Sequence, residues 1–286
     1  MATVSGALKA PGYKVVRLLG NGARSTIWQV RQLSTGKFFA LKRVVKRERS
    51  DYRFIEQVEA EHALAHKLDH QNLRKIYDLR RIRKWLAVSE IQLMMEYCEG
   101  ETVQNSRPQS IPRVVSIFNQ VAEALEHMNS RGVIHADTKP NNILITENDV
   151  VKVIDLGQSC LTGTVKERIQ GTPDFIAPEQ VHRQPLDPRT DVFNFGATLY
   201  WTLTGRAIPT VLPTEGIKMK HEHMLRPISE LNPEVPAALC KLVEDCIEPM
   251  PVRRPNSMKD VVSRLGLVRL TMKRRAQNAE PVGEAG

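Results

Sequence analysis

The spacing of apolar positions changes its period along this chain. In residues 12–20 (GYKVVRLLG) and 25–33 (STIWQVRQL) apolar and polar residues alternate, which predicts a pair of β-strands. The turn sequence STGK closes the second strand onto a third, KFFALKRVV, in residues 37–45. Residues 52–73 then carry Phe54, Val58, Glu61, Leu64 and Leu68 at helical spacing, which predicts a helix ending near Asp69. One carboxylate, Glu61, thus sits on an otherwise apolar stripe, while Glu56 and Glu59 should face solvent. Two more strands follow in KIYDLRRIRKW (75–85) and EIQLMMEYCEG (90–100). From Pro112 onward the period is helical. Val114, Ile117, Phe118, Val121, Leu125 and Met128 form one stripe, and Gly132 stops it. A short strand in NDVVKVI (148–154) interrupts the helices, which resume in TDVFNFGATLYWTLTG (190–205), PAALCKLVEDCIEP (236–249) and SMKDVVSRL (257–265). Strands with one helix, then mostly helices, make an α+β chain with a small sheet-bearing part and a larger helical part.

Five polar residues in this framework have the chemistry of a phosphoryl-transfer site: Lys42, Glu61, Asp137, Asn142 and Asp155. Lys42 lies in the apolar run FFALKRVV, where an ammonium can hold the α- and β-phosphates of a nucleotide. Asp137, Lys139 and Asn142 fall within six residues of the Pro-containing loop VIHADTKPNNIL, and the strand VKVIDLG brings Asp155 to a Gly two residues on. A carboxylate aimed at a hydroxyl, an ammonium near a γ-phosphate and two hard oxygen ligands for Mg²⁺ can converge in such a loop between short strands. The segment GNGARS, between the first two strands, supplies Gly20 and Gly22, where a backbone without Cβ and with access to φ > 0 can approach phosphates closely.

In these motifs the chain resembles eukaryotic-type Ser/Thr protein kinases, from about Tyr13 to Leu265. The resemblance implies a two-lobed protein-kinase-like fold, with an N-terminal arm at 1–12, an N-lobe at 13–95, a hinge at 96–100 and a C-lobe at 101–265. The basic stretch 266–286, ending rich in Pro, Gly and Ala, is predicted to be disordered. The family's glycine-loop pattern maps onto Gly20, Asn21, Gly22, Ala23, Arg24 and Ser25, with Ser25 in place of the third Gly and Ile27 in place of Val. The resemblance further implies that Glu61 pairs with Lys42 and that Ile27, Ala40 and Leu144 sandwich an adenine ring. Met95 would border the back of that pocket, and the backbone groups of Glu96 and Cys98 would bind the base. Asp137 and Lys139 would be catalytic, with Asn142 and Asp155 holding the metal. Lys139 and Thr172 of GTPDFIAPE are what the family uses for Ser/Thr specificity, and Lys139 with APE argues against a small-molecule phosphotransferase. Glu179 would pair with Arg254, and Asp191 would hold the catalytic loop from below.

Three departures matter. The family's HRD is His135-Ala136-Asp137 here, which removes the Arg that docks an activation-loop phosphate. DFG is Asp155-Leu156-Gly157, which keeps the metal ligand. Four residues after Glu61, where the family packs a bulky apolar side chain, stands Ala65. The implied function is transfer of the γ-phosphoryl of ATP, with Mg²⁺ or alternatively Mn²⁺, to protein Ser/Thr hydroxyls, with a separate regulatory protein partner. A pseudokinase that binds nucleotide or a partner is the alternative.

Composition adds exclusions. With 41% hydrophobic and 26% charged residues, the 286-residue chain has an ordinary globular make-up. No apolar run reaches the roughly 18 residues of a membrane span. The start MATVSGALKAPG lacks an apolar core of the secretory type, so a cytoplasmic location is expected. Cys98, Cys160, Cys240 and Cys246 show no CxxC spacing, which argues for reduced thiols and against zinc. The net charge of +9 gathers in residues 43–49, 79–85 and 272–277 without interleaved aromatics, so nucleic acid is not an expected partner.

Overall fold

Tertiary contacts divide the chain into two units, one comprising the residues through Asp69 together with Arg74–Glu99, the other His70–Leu73 together with the chain from Gly100 onward. The structure is a computed structural model, and it describes residues 8–22, 24–85, 87–208 and 225–279.

The first unit is built on five antiparallel strands: β1 (Tyr13–Asn21), β2 (Ser25–Gln32), β3 (Phe38–Val45), β4 (Ile76–Lys84) and β5 (Ala87–Glu96), in the order β1-β2-β3-β5-β4. Helix α1 (Tyr52–Ala65) lies between β3 and β4 in sequence. The central strands β3 and β5 are covered on both faces, which is why FFALKRVV and IQLMM read as continuous apolar runs. On one face Ala40, Val44, Ile91, Leu93 and Met95 pack with Ile55 and Val58 of α1. On the other, Leu41, Val30 and Met94 pack with Ala10 and, at the margin, Leu8. Residues 8–12 thus pack onto this unit. Gln92 Nε2 donates to the carbonyl of Lys9 at 3.0 Å, and Arg80 Nη1 to that of Pro11 at 3.3 Å. Because side chains alternate along a strand, Lys42 projects to the same face as Ala40 and Val44, toward α1.

Helix α1 is shorter than its apolar spacing suggests. It ends at Ala65, and only the turn bonds Lys67 N to Leu64 O and Leu68 N to Ala65 O continue it. The buried stripe is Ile55, Val58, Glu61 and Leu64, with Phe54 at its edge under the Arg53 guanidinium. Glu56 is exposed, and Glu59 pairs with Arg81.

The second unit centres on α2 (Ile111–Asn129), whose predicted stripe is buried throughout. Around it lie the short strands β6 (Glu101–Thr102), β7 (Val133–Ile134), β8 (Ile143–Ile145), β9 (Val151–Val153) and β10 (Cys160–Leu161). Helices α3 (Pro178–Val181), α4 (Pro188–Thr204), α5 (Ile228–Leu231), α6 (Ala237–Cys246) and α7 (Met258–Ala279) complete the described part. Asp187 caps the start of α4 by accepting from Arg189 N, and Gly205, at φ 71°, ends it in the left-handed conformation that suits glycine. At Gly196 α4 meets α6 closely enough that a Cβ would lie 2.5 Å from the Cβ of Cys246.

Two boundaries differ from the expectation. His70–Leu73 leaves the first unit: Asn72 Nδ2 donates to Val151 O and Gln120 Oε1 at 2.8 and 2.9 Å, and Val153 N donates to Asn72 O at 2.7 Å. A boundary drawn along the chain cannot show such a crossing. Residues 266–279, predicted disordered, instead extend α7, because VRLTMKRRAQ is composed mostly of good helix formers and Val268 is buried. Residues 280–286 of that predicted tail, like 1–7 of the predicted arm, lie outside the described residues. Among the described residues no helix is long and apolar enough to cross a membrane.

Candidate active site

In the first unit the site begins at Lys42, midway along β3 and paired in register with Ile27 of β2 and Leu93 of β5. Its Nζ lies 2.7 Å from Glu61 Oε2, with the side chains 11% and 1% exposed. Charges this deeply buried are costly unless paired, so each group fixes the other in place. Nearby, Ile27 packs against the cluster that holds Ala40 and Met95. Glu96 spends its N–H on Lys75 O at 2.8 Å, and the thiol of Cys98 reaches the Glu96 carbonyl at 3.9 Å.

The glycine-bearing turn is tighter than a free loop. Gly20 belongs to β1, opposite Ile27, and Asn21 still pairs with Thr26. Gly22 N donates to Ser25 O at 2.8 Å, and a Cβ on Gly22 would sit 2.8 Å from Ser25 Oγ. Neither glycine adopts positive φ, and the missing Cβ matters at Gly22 alone, since a Cβ on Gly20 would meet no atom within 4 Å. Arg24 lies 3.5 Å from both Glu48 and Asp51, which cap the short 3-10 turn Arg49–Asp51 and the start of α1. Two backbone N–H groups, of Arg47 and Glu48, hold the Asp51 carboxyl below its ordinary range. Ala23 lies outside the described residues.

In the second unit, the loop between β7 and β8 is set by Asp191 of α4. This fully buried carboxylate accepts from the backbone N–H of His135 and of Ala136, each at 2.9 Å, and from Asn129 Nδ2 at 2.7 Å. Burial pushes its carboxyl up from the ordinary range, against the opposing pull of His135 and these donors. The bonds hold Ala136 at φ 61°, a left-handed conformation that costs an L-residue about 1–2 kcal/mol. Gln180 of α3 adds a bond from Nε2 to the Ala136 carbonyl at 2.7 Å.

The strained turn brings three side chains together. Asp137 Oδ1 accepts from Thr172 Oγ1 at 3.0 Å, Asp137 Oδ2 accepts from Lys139 Nζ at 2.8 Å, and Lys139 Nζ also donates to Thr172 Oγ1 at 2.6 Å. Asn142 Nδ2 donates to the Asp137 carbonyl at 2.9 Å and to Asp137 Oδ2 at 3.3 Å. Its amide oxygen is thereby turned away from Asp137. Asp155, at φ 68°, accepts from Gly157 N through Oδ1 at 3.2 Å. One amide oxygen and one carboxylate are hard donors of the kind Mg²⁺ takes alongside phosphate oxygens and water, so the donor set fits such an ion.

Two further arrangements frame the loop. Where the Arg of HRD would stand, Ala136 packs with Ile134, Cys160 and Leu186. The following segment is held by its backbone: β10 pairs with β7, Thr162 N donates to Gly132 O, and Gly163 N and Leu186 N exchange bonds with Leu186 O and Thr164 O. Glu179 and Arg254 form a buried bidentate pair at 2.8 and 2.9 Å. The remaining Arg254 donors reach the carbonyls of Glu248, Pro249 and Arg189, so all five N–H groups are used. Leu144 is buried in β8.

Residues 13–264 match the profile of the protein kinase domain. The chain belongs to the protein kinase family. Within curated proteins, a probable serine/threonine-protein kinase of Clostridium acetobutylicum is 28% identical over 270 residues, covering 90% of this chain and 40% of that protein. A serine/threonine-protein kinase of Myxococcus xanthus is 29% identical, covering 94% of this chain and 52% of its own length. The serine/threonine-protein kinase PrkC of Bacillus subtilis is 26% identical, covering 87% and 39%. The chain thus spans about half or less of the length of these relatives.

Sequence reading picked out every side chain of the Asp137 cluster but missed Gln180, Asn129 and Asn194. Gln180 holds the Ala136 carbonyl, and Asn194 Nδ2 in turn donates to Gln180 Oε1 at 3.0 Å. Their only signal is polarity within apolar helical stretches: Gln180 and Asn194 hold backbone carbonyls distant in sequence, and Asn129 holds the Asp191 carboxylate.

Proposed function

We propose that this kinase domain transfers the γ-phosphoryl group of ATP to Ser or Thr hydroxyls of proteins. The observation that carries the reading is the closed set of Asp137, Lys139 and Thr172, with its carboxylate, ammonium and hydroxyl within hydrogen-bonding distance of one another. Asp137 orients the acceptor hydroxyl and takes its proton as the hydroxyl oxygen bonds to the γ-phosphorus. The bond from that phosphorus to the bridging oxygen breaks, and ADP leaves with the electron pair. Lys139 sets a positive charge beside the transferring group, and Lys42, held by Glu61, neutralises the α- and β-phosphates. Asn142, through its amide oxygen, and Asp155 would hold Mg²⁺, with Mn²⁺ as the alternative ion. That ion, when bound, neutralises charge on the phosphate oxygens.

For the nucleotide, the reading assigns residues 20–25 to the phosphates, Ile27, Ala40 and Leu144 to the faces of the base, Met95 to its rear edge, and the Glu96 carbonyl and Cys98 N–H to its polar edge. The use of the Glu96 N–H by Lys75 supports the carbonyl as its contribution. Selectivity for Ser and Thr over Tyr is supported by Lys139 and Thr172 and by the names of the relatives. Reaction in the cytoplasm is supported by the need for ATP and by four cysteines that are all free thiols. Control by a separate protein partner is supported by Ala136 and by a following segment already held by its own backbone.

The test is incubation with γ-labelled ATP and Mg²⁺ beside a generic basic protein and an aminoglycoside. Label on Ser or Thr of the protein is the expected result. Nucleotide binding with no transfer would replace the proposal with a pseudokinase, and label on the aminoglycoside with a small-molecule phosphotransferase.

A further inference from the structure

Helix α1 carries two histidines that take no part in the chemistry above. His62 and His66 are four residues apart, so they lie only about 40° apart around the helix axis. Their Nε2 atoms are 3.3 Å from each other, with the rings close to perpendicular at 87°. Two ring nitrogens at this separation are placed to share one proton or one metal ion. Ligands about 2.0–2.1 Å from a tetrahedral ion stand about 3.3–3.4 Å apart, which matches the observed separation.

We propose that His62 and His66 form a binding site for a divalent transition cation of the Zn²⁺ class, with water in the remaining positions. Imidazole nitrogen suits Zn²⁺, Ni²⁺ and Cu²⁺ and is a poor ligand for Mg²⁺, so the site is chemically distinct from the oxygen donors Asn142 and Asp155. A metal ligand must be a neutral imidazole. Burial, first, and the neighbouring His66, second, disfavour the charged form of His62, with Arg81 acting in the same sense and Asp78 against them. Asp78 also offers negative charge to a bound cation. No set of three or more His, Cys, Asp and Glu side chains able to hold a metal occurs among the described residues, so this is a two-ligand site with the modest affinity that implies.

The position gives the ion a consequence. His62 follows Glu61 directly, and His66 is the residue that closes α1. An ion bridging the two ties together the last turn of the helix that holds the Lys42 partner, and so stabilises that turn against fraying.

The experiment is calorimetric titration of ZnCl₂ into the purified full chain, with excess Mg²⁺ in both solutions to occupy the hard-oxygen sites. Thermal unfolding is followed in parallel. One Zn²⁺ per chain should bind and raise the melting temperature, and the His62 and His66 ring signals should be the imidazole resonances that shift. His66→Ala alters an exposed residue at the helix end and should fold normally. It should weaken Zn²⁺ binding by about tenfold or more and abolish the thermal shift, and His62→Gln should do the same. An unchanged isotherm in His66→Ala would overturn the proposal. So would failure of the wild-type chain to bind Zn²⁺, which would leave the two rings as a hydrogen-bonded pair and nothing more.

Discussion

The hydroxyl of Thr172 donates to Asp137 Oδ1 at 3.0 Å while accepting from Lys139 Nζ at 2.6 Å, so a single oxygen ties the loop after β7 to the segment before α3. Thr172→Ala removes both bonds and frees the carboxylate and the ammonium to reorient. Turnover should fall by about tenfold or more, with thermal stability little changed. Thr172→Ser keeps the oxygen and should retain most activity. Equal loss in both variants would show that the methyl group, not the hydroxyl, is what matters there.

Removing the proposed reacting groups should cost more. Asp137→Asn, Asp155→Asn and Lys42→Met should each lower turnover by on the order of 10² or more. In Lys42→Met, Glu61 is left buried without its charge partner, so that variant alone should also melt measurably lower. Near wild-type phosphorylation by all three variants would remove the proposed site.

The segment after Asp155 should not need a phosphate. Replacing Ser159, Thr162 and Thr164 together by Ala should change activity by less than about threefold, or roughly 0.7 kcal/mol. A small loss of stability is expected, since Thr164 Oγ1 donates to the Leu161 carbonyl at 2.6 Å and Ser159 is buried. Phosphate mapping of the active wild-type protein, set beside the activity of the triple variant, checks this. A requirement for modification at any of the three positions contradicts it.

Arg254→Lys should destabilise the second unit strongly despite preserving the charge. The guanidinium satisfies two oxygens of Glu179 and three backbone carbonyls, and a lysine cannot reproduce that fork. A loss of about 3 kcal/mol or more is expected, read from denaturant midpoints. Glu179→Gln should also be costly, because it leaves the buried guanidinium without its counter-charge and sets an amide N–H₂ against one of the Arg254 donors.

Alkaline pH should weaken the fold through Cys246. Burial pushes this thiol up to about 12 from an ordinary value near 9.0. Its folded pKa is raised, so the neutral thiol contributes its full stability below pH 9, and that contribution is lost as pH rises from 9 toward 12, with a slope of up to about 1.4 kcal/mol per pH unit. Cys246→Ala should flatten this part of the profile. At pH 8, thiol reagents should reach half-exposed Cys98 first, and buried Cys246 only on unfolding.

Local chemistry made much of this protein legible from its sequence. The alternation in GYKVVRLLG and STIWQVRQL, the stripe of α2 and Gly205 at the end of α4 are properties of a few neighbouring residues, and they form the elements they suggest. Asp137, Lys139 and Asn142 could be singled out because six residues of one loop carry them all. Tertiary structure decided whatever depends on partners distant in sequence. Glu61 resembles any helical carboxylate until β3 turns Lys42 toward it, and Asp191 resembles a first-turn acid until His135 and Ala136 aim their N–H groups at it. The strain at Ala136 and the crossing of His70–Leu73 into the second unit likewise had no local signature. Burial and long-range hydrogen bonding set those features, and their energies depend on which residues meet in space, not on which are adjacent in the chain.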